Sequence, residues 1–417
     1  MTNEELEFLL DKKNSEVYDA HKEIIDLQNN KDSRLIFGKE WLDESIIGGI
    51  NNKILFFGSR PGNGKTHHCS ETINALLDKN LNPSPVEVCR LNLEMPTMTL
   101  LLQQVSRTLN KPPKEILSRP YTEQEKPVVK NVVNSFMDKR IHNMSKILKG
   151  NDFQRFVEGY CKKIDLSDRE LNKVKWEAVL EQAKNDNKDT STLDKEIIVA
   201  KNSYVPYATK KVILIDHLMI YKSKEEIDDI LLRCNEMKMN DKNLSFIIYF
   251  QLRRDVEDLW RDGKEKKVNP KNMLPNSTFI YLSDILQQIA DIVVSLVIPQ
   301  VYELEEYAAI HKERNIHLEK HFTEEGMADS NWTRLKARNR IYYNFMKIRL
   351  INSFDDPRLF CELLNPEKEE EIQEIYGKPT IKAPTFPPTK PQEEPRGLDI
   401  KFNTSVKDAF GDENNPF

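Results

Sequence analysis

An α/β fold, with a mostly parallel sheet flanked on both faces by helices, is predicted by three observations. The glycine-rich turn Gly58-Ser59-Arg60-Pro61-Gly62-Asn63-Gly64-Lys65-Thr66 separates an apolar run from a helical pattern. Near-continuous apolar runs recur along the chain with helical patterns between them, as parallel strands buried on both faces require. The composition, 39% hydrophobic and 31% charged over 417 residues, supplies core material for two or three domains of ordinary size.

In chain order, residues 1–34 hold a polar amphipathic helix with Leu6, Leu9, Leu10, Val17, Ile24, Ile25 and Leu27 as a broken apolar stripe. It is too short and too charged to stand alone, so it is expected to dock on this chain's own core or on a neighbouring subunit. The α/β domain spans 35–378. Its expected strands are Lys53–Phe57, Val86–Leu93, Lys211–Ile215, Leu244–Phe250 and Ile292–Ile298, with a further alternating strand over Ile341–Leu350. His67–Lys79 reads as the helix after the glycine-rich turn, and Ile227, Ile230, Leu231, Cys234 and Met237 mark a crossover helix. Residues 119–200 read as a helical insertion, with Phe136, Met137, Ile141, Met144, Ile147 and Leu148 on one helix. Residues 259–278, polar and proline-broken, read as a long loop. The stretch 379–417 is a proline-rich, acidic tail whose composition reads as disordered or extended.

The net charge of -5 gives no global basic field, so nucleic acid would be met by a local patch or by the inner surface of an assembly. The five cysteines, Cys69, Cys89, Cys161, Cys234 and Cys361, are scattered without metal-ligand spacing, which suits a reduced, cytoplasmic protein without a zinc site. No apolar run approaches the ~18 residues of a membrane span, so no membrane partner is expected.

The chemistry-bearing residues fall at strand ends. Ser59, Arg60, Pro61, Gly62, Asn63, Gly64, Lys65 and Thr66 form a phosphate-binding loop, although Ser59 stands where the pattern G-x-x-x-x-G-K-[ST] has glycine. Its backbone N–H groups would cradle phosphates, Lys65 would reach the β- and γ-phosphates, and the Thr66 hydroxyl would ligate Mg²⁺. Asp216, closing the run KVILI, is the second candidate metal residue. Glu94, after the second strand, is placed to act as general base toward a water. Gln251 ends the fourth strand and could sense the γ-phosphate. Lys336 and Arg338, before the last strand, could be a solvated edge or could project into a neighbour's site.

The stretches GSRPGNGKT, LNLEM, VILID, YFQLRR and LKARNR, in this order, resemble the ATPase domain of DnaB-type replicative helicases, the RecA-like hexameric superfamily. The resemblance spans roughly 35–350 and implies ATP and Mg²⁺, a homo-oligomeric ring, a hexamer by expectation, and translocation on single-stranded DNA. It implies that Lys65 and Thr66 bind phosphate and metal, Asp216 the metal, Glu94 the water and Gln251 the γ-phosphate. Lys336 and Arg338 would reach the adjacent subunit's γ-phosphate. Leu282-Ser283-Asp284 and Ala290-Asp291 resemble two further family segments, but the DNA-contacting stretch between them is short here. Arg261, Lys264, Lys266, Lys267 and Lys271 could supply phosphate contacts instead, or be a solvated charge run. Some thirty residues replace the family's larger N-terminal domain, which fits a phage or mobile-element protein. The missing parts leave open a loader or protein-remodelling switch. Asp412–Phe417, acidic and ending in Pro-Phe, resembles the tip of bacterial single-stranded-DNA-binding proteins, which would make it a docking tail for a replication partner or else a solubilising tail.

Overall fold

The computed structural model describes residues 34–39, 42–43, 49–93, 96–185, 209–221, 223–264, 273–280, 284–323, 331–348 and 359–364. The chain divides into a unit Met1–Pro366, which holds all of these, and a unit Glu367–Phe417. The N-terminal helix, Glu94, Ser283, the basic residues Lys266, Lys267 and Lys271, and the tail lie outside the described residues.

The first strand, β1 (Ile54–Ser59), is buried at every position. It runs two residues past the expected end, to Ser59. Helix α1 (Lys65–Leu77) follows it. Then come β2 (Val86–Leu91) and helices α2 (Thr97–Thr108), α3 (Pro113–Ser118) and α4 (Glu125–Phe136). Strand β3 (Ile141–Met144) and the long helix α5 (Gly150–Asn185) lead to β4 (Lys210–Ile215). Helix α6 (Lys224–Asn240) is capped by Ser223, whose hydroxyl accepts the Glu226 N–H at 3.2 Å. It buries the five residues expected of it, Ile227, Ile230, Leu231, Cys234 and Met237. Strand β5 (Leu244–Gln251), helices α7 (Asp255–Lys264) and α8 (Asp284–Ile289), β6 (Ile292–Val297), β7 (Glu306–His311), β8 (Trp332–Lys336), β9 (Arg340–Ile348) and β10 (Leu359–Leu363) complete the described elements.

Eight strands form one sheet in the order β10-β9-β6-β1-β5-β4-β2-β3, and β7 and β8 pair separately. From β6 to β3 every pairing is parallel; β9 and β10 add antiparallel partners at one end. Side chains alternate across the sheet with period two. Ile54, Phe56, Ile213, Ile215, Phe246 and Ile248 enter one core cluster with α5, α6 and α8. Leu55, Phe57, Val88, Val212, Leu214, Ile247 and Tyr249 enter the other, which holds Cys69, Ile73 and Leu76 of α1.

Two expectations are corrected. The apolar residues around 136–148 do not share a helix: α4 stops at Phe136 and Ile141–Met144 is an edge strand parallel to β2. The turn between them is fixed by Arg140, which binds Asp138 and donates to the Leu77 carbonyl at 2.8 Å. Its strand then satisfies the open backbone edge of β2, which a helix could not do. The stretch from 259 is not loop at its start, because α7 runs to Lys264. Val256 and Trp260, four residues apart on one helix face, are fully buried, and the Trp260 indole donates to the Met273 carbonyl at 3.1 Å.

Candidate nucleotide site

The carboxyl ends of adjacent parallel strands are where open α/β sheets place ligands. Ser59 ends β1 and pairs in register with Gln251, which ends β5. Asp216 follows β4 directly, and its N–H donates to the Leu91 carbonyl at the end of β2 at 3.1 Å. Period-two alternation puts Ser59, Gln251, Asp216 and Arg90 on the sheet face that carries Leu55, Phe57, Tyr249, Leu214 and Val88, the face covered by α1. Four strand ends therefore converge beneath the helix that starts with Lys65 and Thr66.

The loop itself is shaped by backbone geometry. Gly62 and Gly64 have φ of +83° and +76°, left-handed conformations that cost non-glycine residues about 1–2 kcal/mol. Gly64 is the residue that turns the chain into α1, leaving the first N–H groups of the helix pointed outward for an anion. Asn63 is fully buried and ties the loop down. Its Oδ1 accepts the Ile298 N–H at 2.7 Å, and its Nδ2 donates to the Tyr302 hydroxyl at 2.6 Å and the Arg60 carbonyl at 3.2 Å. Arg60 points away from the anion side: its Nε donates to Glu257 of α7 at 2.6 Å and its Nη1 to the Leu252 carbonyl at 2.9 Å. Lys65 is half-buried, with Nζ 3.4 Å from the Ser59 carbonyl. The Ser59 departure is accommodated, since its side chain is buried and donates to the Arg60 carbonyl at 3.1 Å. The glycine that packing requires is Gly58: a Cβ there would lie 2.4 Å from Cζ of Phe250.

Asp216 is held by a residue the sequence reading passed over. Arg90 Nη2 stands 2.6 Å from Asp216 Oδ2, and each side chain is 3% exposed. The signal was a lone arginine inside the apolar run of β2, which must find a buried acid. Cys69, one turn into α1, is fully buried; burial first, and then the Asp216 charge, push its thiol far above the ordinary range. This places the carboxylate against the start of α1. The donor set, a threonine hydroxyl and a carboxylate beside a phosphate cradle, consists of the hard oxygen ligands Mg²⁺ takes together with phosphate and water. Among the described residues no group of three or more His, Cys, Asp or Glu could hold a metal by itself. Mg²⁺ would therefore be shared with the nucleotide.

Lys336 ends β8 and Arg338 lies in the turn to β9. Lys336 Nζ reaches the Lys320 carbonyl at 3.4 Å, and the Arg338 carbonyl accepts from Arg340 at 2.6 Å. The next residue, Asn339, has φ of +55° and donates its N–H to Gln300 Oε1 at 3.1 Å. Gln300 belongs to the 3₁₀ turn Pro299–Tyr302, whose Tyr302 bonds Asn63. The turn carrying both cations is thus anchored to the segment that clamps the phosphate loop, a connection no local pattern revealed. Leu252-Arg253-Arg254 follows Gln251 and leads into α7, with Arg253 paired to Asp255 at 2.7 Å. Among the described residues, no helix is long and apolar enough to cross a membrane.

The fold and this site define a RecA-like α/β protein with a phosphate-binding loop. No family model and no curated protein matches the sequence. Among solved structures, a free-standing ATPase domain of another protein is similar over 83% of this chain and 93% of that one, with a TM-score of 0.51 at 14% identity. A DnaB-like replicative helicase, described with its interactions with primase, is similar over 77% of this chain and 62% of its own, at 15% identity and a TM-score of 0.43. At such identities the shared property is the fold.

Proposed function

We propose that this chain is a Mg²⁺-dependent ATPase that works as a ring, a hexamer by expectation, moving along single-stranded DNA and unwinding duplex during replication. The observation that carries the reading is the convergence of Ser59, Gln251 and Asp216 on one sheet face beneath the helix opened by Lys65 and Thr66. The structural neighbour over most of its length is itself an ATPase domain, in keeping with hydrolysis. Lys65 and the loop N–H groups would bind the β- and γ-phosphates, and Gln251 would hydrogen-bond a γ-phosphate oxygen. Bound Mg²⁺ would draw charge from the phosphate oxygens; Thr66 and Asp216 would hold it. Glu94 would take the proton of the attacking water, and Arg338 with Lys336 would complete the neighbouring subunit's site.

A second reading, an ATP-driven loader or remodelling switch, is favoured by one feature. Helix α8 passes into β6 with only Ala290 and Asp291 between them, leaving no room after Ile289 for an extended DNA-contacting loop. ATP hydrolysis with and without single-stranded DNA, with Lys65→Ala as blank, tests both. Stimulation by DNA that is lost in Arg338→Ala, while that variant still binds nucleotide, supports the motor. Hydrolysis indifferent to DNA supports the switch, and absence of hydrolysis in both conditions refutes the catalytic assignment.

A further inference from the structure

A carboxylate that is 3% exposed cannot rest charged in a protein interior without a partner. For Asp216 that partner is Arg90, reached from the neighbouring strand through one short contact of 2.6 Å between Nη2 and Oδ2. The geometry is set by the sheet. Arg90 pairs with Leu214, two residues before Asp216, so both side chains leave the sheet on the α1 face. Arg90 is itself 3% exposed and its backbone is locked between β3 and β4, opposite Asn143 and Leu214. Beyond the guanidinium, away from Asp216, lies a small cavity of about 30 Å³ lined by Ser70, Asn74, Gln104, Ser135 and Asn143. These hydroxyls and amides bring no competing carboxylate. Among the described residues the guanidinium therefore has one anionic contact, Asp216, and a strand-fixed stem from which to hold it.

We propose that Arg90 is a positioning residue for the candidate metal carboxylate. By taking Oδ2, it fixes the plane of the Asp216 carboxyl group against the start of α1, where Thr66 lies, before nucleotide and metal arrive. A planar fork on a rigid strand defines a direction that a flexible ammonium would not. Partners behind a metal ligand govern metal affinity as well as fold. The inference rests on the reading of Asp216 as the metal carboxylate.

The test uses the full chain and a fluorescent adenine nucleotide, titrated with Mg²⁺ and, separately, in EDTA. Arg90→Met is expected to raise the Mg²⁺ concentration for half-maximal binding by about 10–100-fold, the range typical of such supporting contacts, while affinity in EDTA stays within about twofold. Arg90→Lys keeps the charge inside the fold but loses the fork, so it covers the case in which Arg90→Met does not fold; its shift should be smaller and in the same direction. Adding Arg90→Lys to Asp216→Asn should change the midpoint no further. If Asp216→Asn raises the midpoint and Arg90→Lys leaves it unchanged or lowers it, Arg90 is a structural or competing cation and the proposal is overturned. If Asp216→Asn leaves the midpoint unmoved, the metal assignment itself fails.

Discussion

Replacing Asn63 with alanine isolates what the clamp on the phosphate loop contributes. The amide makes three hydrogen bonds, to the Ile298 N–H, the Tyr302 hydroxyl and the Arg60 carbonyl. Each is worth about 1 kcal/mol net, and a donor or acceptor left buried without a partner costs about 1–3 kcal/mol. Asn63 is fully buried, so Asn63→Ala should destabilise the domain by about 3 kcal/mol. Tyr302→Phe removes one of the three bonds and should lose about 1 kcal/mol. Because that bond is shared, the double variant should lose about 3 kcal/mol rather than the sum, a coupling of about 1 kcal/mol. Urea unfolding followed by tryptophan fluorescence, with Trp260 packed 4.4 Å from the Tyr302 ring as an internal reporter, measures all four corners. A loss below about 1 kcal/mol for Asn63→Ala, or simple additivity in the double variant, would refute the clamp.

Other outcomes follow from the same geometry. Gly64→Ala meets only ordinary contact, with Ile298 Cδ1 at 3.5 Å, so its loss should be the backbone strain of about 1–2 kcal/mol, read as a melting shift with weakened nucleotide binding. Gly58→Ala would drive a methyl into the Phe250 ring and should cost about 1–3 kcal/mol; adding Phe250→Leu should recover part of it, measured in the same melts. Lys211 is 1% exposed between Asp165 at 2.6 Å and Asp241 at 2.7 Å. Burial opposes its charge, but the two carboxylates outweigh burial and hold its ammonium above the ordinary 10.5. Its contribution is therefore complete below about pH 10.5 and fades as pH rises through the folded value. Lys211→Met should lose about 3 kcal/mol at neutral pH and show less alkaline destabilisation than the parent in pH-dependent melts. Native iodoacetamide labelling at about pH 8, read by mass spectrometry, should reach Cys361 first, because it alone is partly exposed while burial pushes the Cys89 and Cys161 thiols up to about 12.

The central strands were legible in the sequence because parallel strands covered on both faces need unbroken apolar runs, as in Lys211–Ile215 and Leu244–Phe250. The phosphate loop was legible because its glycines answer a backbone demand. Strand β3 was not, because Ile141 and Met144 are spaced three apart, which suits a helix equally well. What settles their conformation is the open edge of β2, more than fifty residues earlier in the chain. Helix α7 was masked by its polar surface, and only the buried pair Val256 and Trp260 holds it down. The short ladder of β7 and β8 went unread for a related reason: it is defined by pairing across an intervening segment, from Glu306 with Lys336 to His311 with Trp332. For the site, single residues at strand ends could be picked out, yet their partners could not. Arg90 finds Asp216 only through the β2–β4 register, and the anchor from Asn339 through Gln300 to the loop clamp links turns far apart in sequence.

The glycine at 58 carries a lesson about inheritance. The ring of Phe250 occupies the space a side chain would need there, while Ser59 is readily accommodated where the motif asks for glycine. Two positions on neighbouring strands, nearly two hundred residues apart, therefore form one evolutionary unit. A lineage that trims residue 250 releases position 58 from glycine, and one that keeps the aromatic ring must keep the gap beside it. Among relatives of this protein, the opening of the phosphate loop should drift in step with the size of that distant side chain, so that a motif search insisting on glycine at 59 would pass such proteins by.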